Sequence, residues 1–377
     1  MNKLIRVKIN QLKIGVPVDY DIFDLKNQLL LKRGAVITSG YQLLQITAHG
    51  YCEEQEASGT NFNAHLIKPA GNHLNPFDVI ERCAFRLGQI FFKVSQDLKA
   101  EAEILDICRE LSTACDTNPD ATLGAVHLLH GHAYTTIHPI HTATIAHFLC
   151  AQLGVDEDER LAIIAAALTC NISILELQEV LQTQDEPLSP EQKAVIQQHP
   201  QHGVDMLRAN GISNELWLTI VAEHHERING SGYPGGLTAN DIAFGAKIVA
   251  VADAYSAMIS PRIYRETNLS RDALIKFMHG RGKEFDESLC RLLVKNMGMF
   301  PPGSFVKLAN DETAIVVRRN TNSDCPIVAS MIAGDSSDYS TPIIRDTHAT
   351  EYAVQGMVKR IWGEKLDLSE IWGYSEA

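Results

Sequence analysis

The sequence predicts a mainly α-helical fold, in which a helical bundle is flanked by a small β-rich unit at each end. From FDVIERCAFRLGQIFFKVS onward, apolar residues recur at i, i+3, i+4 and i+7, the pattern of amphipathic helices. Before and after the helical part, apolar and polar residues alternate, as in LIRVKI and FVKLANDETAIVV, which is typical of strands. A chain of 377 residues is also long enough for more than one domain.

These patterns divide the chain into four segments. They are a β-rich N-terminal unit (1–66), a linker with amphipathic helices (67–124), a helical domain (125–300) and a β-rich C-terminal unit (301–377). In the first, we expect a strand pair broken at Lys32 to Gly34 and a short helix in YQLLQITAHGY. In the last, we expect a closing helix near Tyr352 to Trp362.

At least six helices are predicted in the helical part. Their patterns lie in TATIAHFLCAQLG, DEDERLAIIAAALTC, SPEQKAVIQQH, ISNELWLTIVAEHHE, AFGAKIVAVADAYSAMI and SRDALIKFMHG. Ser189 stands in a capping position before Pro190 and Glu191. We expect the same helix to end at His199, because the next residue is a proline.

Composition and charge exclude several classes of protein. No run of about 18 uncharged apolar residues occurs, and the N-terminus lacks a secretory pattern, so we expect a cytoplasmic protein without a membrane span. A net charge of -13 argues against binding a nucleic acid polymer. The eight cysteines form no C-x-x-C pair, and reduced thiols are expected.

The stretch HHERINGSGYPGG combines two histidines with a glycine-rich turn, a composition suited to a metal site. Successive helical residues point about 100° apart, so His224 and His225 would serve two metal ions or two edges of one site. Asp253 lies in an otherwise apolar helix and needs a partner, either a metal ion or an arginine. His138 and His141 are one turn apart near the start of another helix.

At about residues 125 to 300 the sequence resembles the HD-GYP proteins, a branch of the HD phosphohydrolases. The resemblance is carried by YTTIHPIHTATIA, LSPEQKAVIQQHPQHG, HHERINGSGYPGGLTANDI, AKIVAVADAYSAM, SPRIYRE and GKEFDESL. It implies an HD-type helical bundle holding two or three ions such as iron or manganese. It also implies metal-assisted hydrolysis of the bacterial messenger cyclic di-GMP.

The resemblance assigns roles to individual residues. The metal ligands it implies are His138, His199, His224, His225 and Asp253. The surface for a ligand or partner that it implies comprises Gly230, Gly232, Tyr233, Pro234, Arg262 and Arg265.

The His-Asp dyad that names the family is absent. The matching stretch AAALTCNIS places Thr169 and Cys170 at the dyad and Ser173 where the family has a lysine. A neutral threonine and a thiol cannot supply the bridging charge that two hard cations need. Tyr134 and Asn229 replace two further acidic residues of the family. A single metal ion held by His199, His224 and His225 would remain.

Each assignment has an alternative. The two adjacent histidines and their turn could be an inherited but inert element, and His138 with Asp253 could form a hydrogen-bonded pair in the core. Cys170 could bind a metal ion, although a helical cysteine is more often a small core residue. Ion pairs between helices would explain Arg262 and Arg265 equally well. We interpret the remaining histidines of the helical part as surface or packing residues: His127, His130, His132, His141 and His147.

Three functions remain open at this point. The leading prediction is a cyclic di-GMP signalling protein with a degenerate HD-GYP domain, a binding or regulatory module with little or no phosphodiesterase activity. The second is a working metal-dependent phosphodiesterase with an altered metal site. The third is a protein-interaction scaffold without ligand. The resemblance further implies a protein partner at the GYP turn, such as a diguanylate cyclase domain, and leaves homodimerisation open.

Overall fold

The computed structural model describes most of the helical part and of the C-terminal unit, and short stretches of the N-terminal unit. The described residues are 4–7, 12, 17–24, 28–37, 46, 51–53, 74–96, 99–260, 283–334, 337–359 and 366–374. Most of the predicted linker SGTNFNAHLIKPAGNHLNP, the predicted helix SRDALIKFMHG and most of YQLLQITAHGY lie outside these residues. The last three linker residues, Leu74 to Pro76, are described, and Pro76 already begins the first helix. Within the described residues the fold is mainly helical with an antiparallel sheet at each end, so the predicted fold class is confirmed.

The N-terminal sheet contains four short antiparallel strands in the order β1-β4-β2-β3. They are β1 (Leu4–Arg6), β2 (Ile22–Phe23), β3 (Leu29–Leu31) and β4 (Tyr51–Glu53). The break predicted at Lys32 to Gly34 is a turn. However, β3 pairs with β2 before it, and beyond the turn Val36 forms only an isolated bridge with Pro17. This sheet has its own small apolar core.

Helices form the centre of the molecule. In chain order they are α1 (Pro76–Ser95), α2 (Glu101–Thr117), α3 (Pro119–Leu128), α4 (Tyr134–Leu153), α5 (Glu157–Thr169), α6 (Leu175–Thr183), α7 (Pro190–Ala209), α8 (Glu215–Glu223), α9 (Phe244–Ile259) and α10 (Glu287–Met297). A short 3₁₀ helix, Ile172–Ile174, joins α5 to α6. Helix α4 is buried on nearly every side and packs against both α5 and α9. It is the central helix of the bundle.

Local signals in the sequence account for the ends of several helices. The Ser189 hydroxyl accepts a hydrogen bond from the backbone N–H of Gln192, whose side chain bonds back to Ser189. This capping box satisfies backbone groups that the first turn of α7 would leave unpaired, as predicted. The Asn75 side chain caps α1 by accepting from the N–H of Phe77, with Pro76 at the first helical position.

The predicted end of α7 at His199 is wrong. The helix continues through Pro200 to Ala209, and both His199 and Pro200 are buried. An interior proline removes one backbone hydrogen bond and costs about 3 kcal/mol or more, so tertiary packing must outweigh that local preference here. The apolar residues of the second half, such as Val204 and Leu207, are buried in the core and supply that packing.

The C-terminal unit is an antiparallel sheet of five strands in the order β8-β7-β6-β5-β9. They are β5 (Phe305–Leu308), β6 (Thr313–Arg318), β7 (Ile327–Ile332), β8 (Asp338–Asp346) and β9 (Val354–Met357). The helix predicted near Tyr352 to Trp362 is wrong for its described part. Thr350–Tyr352 is one 3₁₀ turn, and β9 follows because its backbone pairs with β5. The closing helix, α11 (Leu368–Ile371), comes later.

This C-terminal sheet packs on the helices rather than standing apart. Ile315 and Val317 of β6 belong to the same apolar core as the bundle. The Trp372 indole donates a hydrogen bond to the Val317 carbonyl at 3.0 Å and meets the Phe77 ring edge-on at 5.1 Å. A Cβ on Gly124 would come within 2.6 Å of the Trp372 ring, so glycine is required there.

One stretch of the described chain meets the length and composition of a membrane span. It is Glu157–Thr183, which comprises α5, the 3₁₀ turn and α6. Its apolar window is 67% buried inside the bundle, and a core helix of a soluble protein passes the same test. The absence of a membrane span therefore stays a prediction.

Candidate metal centre

Three histidines converge where the end of α8 meets the middle of α7. His199 projects from α7, His224 terminates α8 and His225 follows it. The candidate ligand nitrogens of all three lie within 4.8 Å of one another, and this is the one such group among the described residues. The expectation that the adjacent histidines must diverge assumed a continuous helix. Because α8 ends at Glu223, both rings reach the same point.

The orientation of two of these rings fits a metal ion. Nδ1 of His199 donates to the Ile196 carbonyl at 2.6 Å, and Nδ1 of His224 donates to the Val221 carbonyl at 2.7 Å. A neutral imidazole carries one proton, so Nε2 of each ring is left with a lone pair. These two Nε2 atoms face each other at 3.2 Å. Two lone pairs at that distance repel unless a proton or a cation lies between them.

A proton is disfavoured in this position. Burial and the neighbouring His224 together lower the pKa of His199 to about 3. Burial also lowers the pKa of His224, and it lowers the pKa of His225 well below its ordinary value. All three rings are therefore neutral near pH 7, which is the form that binds metal ions. The residues present fit one divalent ion with an affinity for imidazole nitrogen.

Pro200 explains how the His199 ring is held. In an uninterrupted helix the N–H of residue 200 would donate to the Ile196 carbonyl, four residues earlier. Proline has no N–H, so that carbonyl accepts the His199 imidazole instead. At the end of α8, the Val221 carbonyl likewise lies in the last turn, where helical partners run out, and it accepts His224. Hydrogen bonds of this kind fix the tautomer of metal-binding histidines.

His138 and Asp253 form a pair with each other beside the three histidines. Nε2 of His138 donates to the Asp253 carboxylate at 2.9 Å, and the Tyr134 ring stacks on His138 at 4.7 Å. Burial acts to raise the pKa of Asp253, but the hydrogen bond and the proximity of His138 outweigh it and hold that pKa well below its ordinary value. Among the described residues the partner of Asp253 is thus His138, the pairing that the sequence analysis gave as an alternative to a metal role. The ligand role of this pair stays a prediction.

The positions of the missing dyad are satisfied within the protein. The Thr169 hydroxyl donates to the Ala165 carbonyl at 2.7 Å and accepts from the Trp217 indole at 2.8 Å. Burial, with the nearby charge of Asp253, raises the pKa of the Cys170 thiol well above its ordinary value, so it stays protonated. The Ser173 hydroxyl donates to the His199 carbonyl at 2.7 Å. These side chains fill the core instead of facing a metal ion with free ligand atoms.

The GYP turn packs against the three histidines. The Tyr233 ring stacks on His225 at 4.8 Å. Buried Glu226 holds the turn by accepting from the N–H groups of Gly235 and Leu237. A Cβ on Gly232 would lie 2.3 Å from the Arg227 nitrogen, so only glycine fits that close approach.

The remaining residues of the turn stabilise its own conformation. Asn229 accepts hydrogen bonds from the backbone and hydroxyl of Ser231, which keeps the turn geometry expected of it. Gly230 has a positive φ of 77°, a conformation that glycine adopts without strain. Pro234 follows Tyr233 in the same loop, next to the Glu226 clamp.

A cavity of about 220 Å³ opens beside the metal centre. Its walls include His138, His199, His225, Asp253 and Tyr233, so the structure brings these predicted site residues together. Helix α6 supplies another wall through Gln178 and Gln182. His224 is fully buried and is not among the described residues that line this cavity.

The other histidines of the helical part have packing environments. His127 joins the Pro302 carbonyl to the Tyr255 hydroxyl, at 2.7 and 2.8 Å. His147 bonds to the Asp116 carboxylate at 2.9 Å. His141 is fully buried beside His130, and neither of its ring nitrogens has a hydrogen-bond partner in the part of the chain that the structure describes. His132 is half-buried, and burial lowers its pKa.

Sequence reasoning missed four contributors to the site. They are Pro200, Glu226, Asn171 and Gln178. The His-Pro dipeptide was a readable signal for the first, but it was interpreted as a helix end. Glu226 directly follows the paired histidines, yet its role depends on a loop that folds back over it. Arg262 and Arg265 lie outside the described residues, so their predicted phosphate contacts stay predictions.

The fold and this site together define a class: helical proteins that gather histidines and a carboxylate from several helices at one candidate metal centre. A family model described as HD domain matches residues 98–289, just over half of the chain. The chain therefore belongs to the HD domain family.

Two curated relatives share part of this sequence. The cyclic di-GMP phosphodiesterase PA4108 of Pseudomonas aeruginosa is 28% identical over 222 residues, covering 59% of this chain and 53% of that protein. The cyclic di-GMP phosphodiesterase PdeB of Borreliella burgdorferi is 26% identical over 184 residues, covering 49% of this chain and 48% of that protein. The chain thus spans about half the length of the curated relatives it matches.

A solved structure has the same fold. Bd1817, described as a HDG"Y"P protein from Bdellovibrio bacteriovorus, superimposes with a TM-score of 0.54. The match covers 78% of this chain and 99% of that one at 17% sequence identity, a likeness that shows the fold alone. The family match confirms the predicted relationship to HD-domain proteins, and this structure confirms the predicted HD-type fold.

Proposed function

We propose that this chain binds cyclic di-GMP at a degenerate HD-GYP centre holding one divalent metal ion, and that it acts as a regulatory or binding module with little or no phosphodiesterase activity. The observation that carries the proposal is the contrast within the site. His199, His224 and His225 converge with two Nε2 lone pairs facing each other. Thr169 and Cys170, at the dyad positions, are bonded into the core.

The three histidines would hold the metal ion, and the rest of the chain limits what it can do. When bound, such an ion polarises a phosphoryl oxygen and neutralises its charge. A second ion needs a bridging carboxylate, and Cys170 is a protonated thiol in that position. Asp253 is hydrogen-bonded to His138. With one divalent ion in place of two, the site therefore supplies at most half of the positive charge that a two-metal centre would place beside the phosphate.

Similarity supports the choice of ligand. PA4108 and PdeB are both named as cyclic di-GMP phosphodiesterases, and the HD-domain match of this chain, residues 98–289, spans the three histidines. The cavity next to the histidines would receive part of a dinucleotide. A cytoplasmic location accords with a nucleotide messenger made inside bacteria, and it belongs to the same proposal.

A metal-dependent cyclic di-GMP phosphodiesterase with an altered centre is the second candidate. One observation favours it: three imidazoles, with a cavity alongside, match the ligand count of catalytic metal sites that keep one position open. A scaffold without ligand is the third candidate, and the GYP turn would then serve protein contacts only.

Metal analysis combined with a turnover assay separates these functions. We expect about one metal ion per purified wild-type chain, binding of cyclic di-GMP in calorimetry and hydrolysis close to background. The triple change Thr169→His, Cys170→Asp and Ser173→Lys should raise the metal content towards two ions and create measurable hydrolysis. Brisk turnover by the wild-type chain would establish the second candidate. If calorimetry detects no binding heat with millimolar cyclic di-GMP, the scaffold without ligand would be the remaining candidate.

A further inference from the structure

Neutral amide groups line the cavity beside the metal centre. The amide-bearing residues are Asn171 between α5 and α6, and Gln178 and Gln182 on α6. Tyr134 and Tyr233 contribute aromatic rings, while Ile174 and Leu181 contribute apolar surface. At about 220 Å³ the cavity is smaller than the roughly 300–1,000 Å³ typical of pockets for whole drug-sized ligands. It has room for one flat ring system, not for a dinucleotide.

Gln178 has a hydrogen-bonding atom that the protein does not satisfy. Its Oε1 is buried and has no hydrogen-bond partner among the described residues. Leaving a buried acceptor unpaired costs about 1–3 kcal/mol, so such atoms normally meet a protein donor, water or a ligand. Since Gln178 lines the cavity, a donor N–H on a bound molecule would satisfy it.

The amide face of α6 is fixed in place. Gln178 and Gln182 are four residues apart, so they lie on the same side of this helix. The Thr135 hydroxyl at the start of α4 donates to the Glu179 carboxylate at 2.7 Å and thereby sets the rotation of α6. The amides are therefore presented to the cavity before any ligand arrives, which lowers the cost of binding.

The charged groups that line the cavity do not favour binding of a phosphate group there. No lysine or arginine occurs among the described residues that line it. Asp253 is its carboxylate, and that group is hydrogen-bonded to His138. A phosphodiester would thus find its positive partner at the three histidines and their metal ion, not between α4 and α6. The amide-lined part suits a neutral, planar, hydrogen-bonding group.

We propose that this cavity binds one nucleobase of the ligand, and that Gln178 determines base specificity by accepting an N–H hydrogen bond from the base edge. A side-chain amide carries an acceptor and a donor side by side, the arrangement that pairs with a purine edge. Tyrosine rings are suited to stacking on the faces of bases. The inference rests on the proposed function, because it takes a cyclic dinucleotide as the ligand.

Two substitutions at Gln178 test this inference by calorimetry with cyclic di-GMP and cyclic di-AMP. Gln178→Leu should weaken binding of any purine dinucleotide that the wild-type chain binds by about tenfold or more, as expected for the loss of a base contact. Gln178→Glu keeps the acceptor and removes the donor. The Watson–Crick edge of guanine offers adjacent N–H donors while that of adenine offers an acceptor, so this variant should shift the affinity ratio towards cyclic di-GMP by about tenfold.

Gln201→Leu is the matched control, because Gln201 is an exposed glutamine of α7 outside the cavity. It should bind like wild type. A merely structural role for Gln178 would weaken both dinucleotides without moving their ratio in Gln178→Glu, and that result overturns the inference. Wild-type affinity in Gln178→Leu would do the same while leaving the proposed function intact. If the wild-type chain binds neither dinucleotide, the proposed function itself fails.

Discussion

Two His-Pro dipeptides in this molecule have the same local sequence but different surroundings. Pro139 lies inside α4 and Pro200 inside α7, each directly after a buried histidine. His199 donates from Nδ1 to the helix backbone and turns Nε2 towards His224. His138 donates from Nε2 to Asp253, and its buried Nδ1 has no partner among the described residues.

The difference shows that the His-Pro dipeptide alone does not fix the orientation of the imidazole, which also depends on the side chains around it. On the α7 side, His224 and His225 lie next to His199, and the candidate ligand nitrogens of the three rings converge. On the α4 side, the dyad positions hold Thr169 and Cys170, and His138 pairs with the nearest carboxylate instead. We therefore expect the α7 side to control metal binding and the α4 side to control stability.

The largest expected effect is the loss of metal from His199→Ala. Removing one of three ligands should weaken metal affinity by more than about 100-fold, since altering a hydrogen-bond partner of a ligand alone costs about 10- to 100-fold. Titration of metal-free protein with zinc or manganese, followed by metal analysis after gel filtration, measures it. His202→Ala changes an exposed histidine of the same helix and should keep wild-type metal content. Stoichiometric metal in His199→Ala would refute the three-histidine site.

On the other side of the comparison, Asp253→Ala should act on folding. Removing one partner of a buried charged pair leaves the other unpaired, so we expect a loss of about 3 kcal/mol in unfolding free energy. Metal content should change little. Urea denaturation of metal-free protein provides the measurement. The His147–Asp116 pair is the matched control, because Asp116 is 53% exposed and Asp116→Ala should cost under about 1 kcal/mol. If the Asp253→Ala variant folds with wild-type stability but loses its metal, the result would show that Asp253 is a metal ligand.

Much of this arrangement was accessible from the sequence. The helix-period pattern predicted the bundle, and Ser189 predicted the start of α7, because both depend on local spacing and local hydrogen bonds. The resemblance brought His199, His224 and His225 together as the set for one metal ion, and the structure places their nitrogens within 4.8 Å.

What could not be predicted depends on contacts between distant segments. The strand β9 was expected to be helical because its pairing with β5 is not visible locally. Pro200 was interpreted as a helix end, since its local cost is outweighed by burial of the helix beyond it. The partner of Asp253 stayed open between a metal ion, an arginine and His138, because its distance from His138 is set by the packing of α4 on α9.

Pro200→Ala sharpens the comparison of the two dipeptides. Alanine restores a backbone N–H that competes with His199 for the Ile196 carbonyl. The imidazole then loses its fixed tautomer, and metal affinity should fall about tenfold. The metal-free protein should be no less stable, because alanine favours the helix. Pro139→Ala makes the same change on α4 and should leave metal affinity unaltered. Equal losses in both variants would show that helix shape, not His199 orientation, is responsible.

The smallest expected effect is a pH dependence from His127, which lies away from the three histidines. Burial lowers its pKa to about 4 in the folded protein, below the ordinary value of 6.5. Between these values the unfolded chain binds a proton that the folded chain does not, so stability is complete above pH 6.5 and declines as the pH falls towards 4. The slope from one such group is about 1.4 kcal/mol per pH unit.

Urea denaturation of metal-free wild type and His127→Gln between pH 7 and about pH 5 measures this slope. The wild-type unfolding free energy should fall more steeply than that of the variant, because glutamine takes up no proton when the chain unfolds. The matched control is His348→Gln, at a histidine whose side chain is 48% exposed, and it should follow wild type. Parallel slopes for wild type and His127→Gln would show that the hydrogen bonds of His127 to Pro302 and Tyr255 tolerate its protonation.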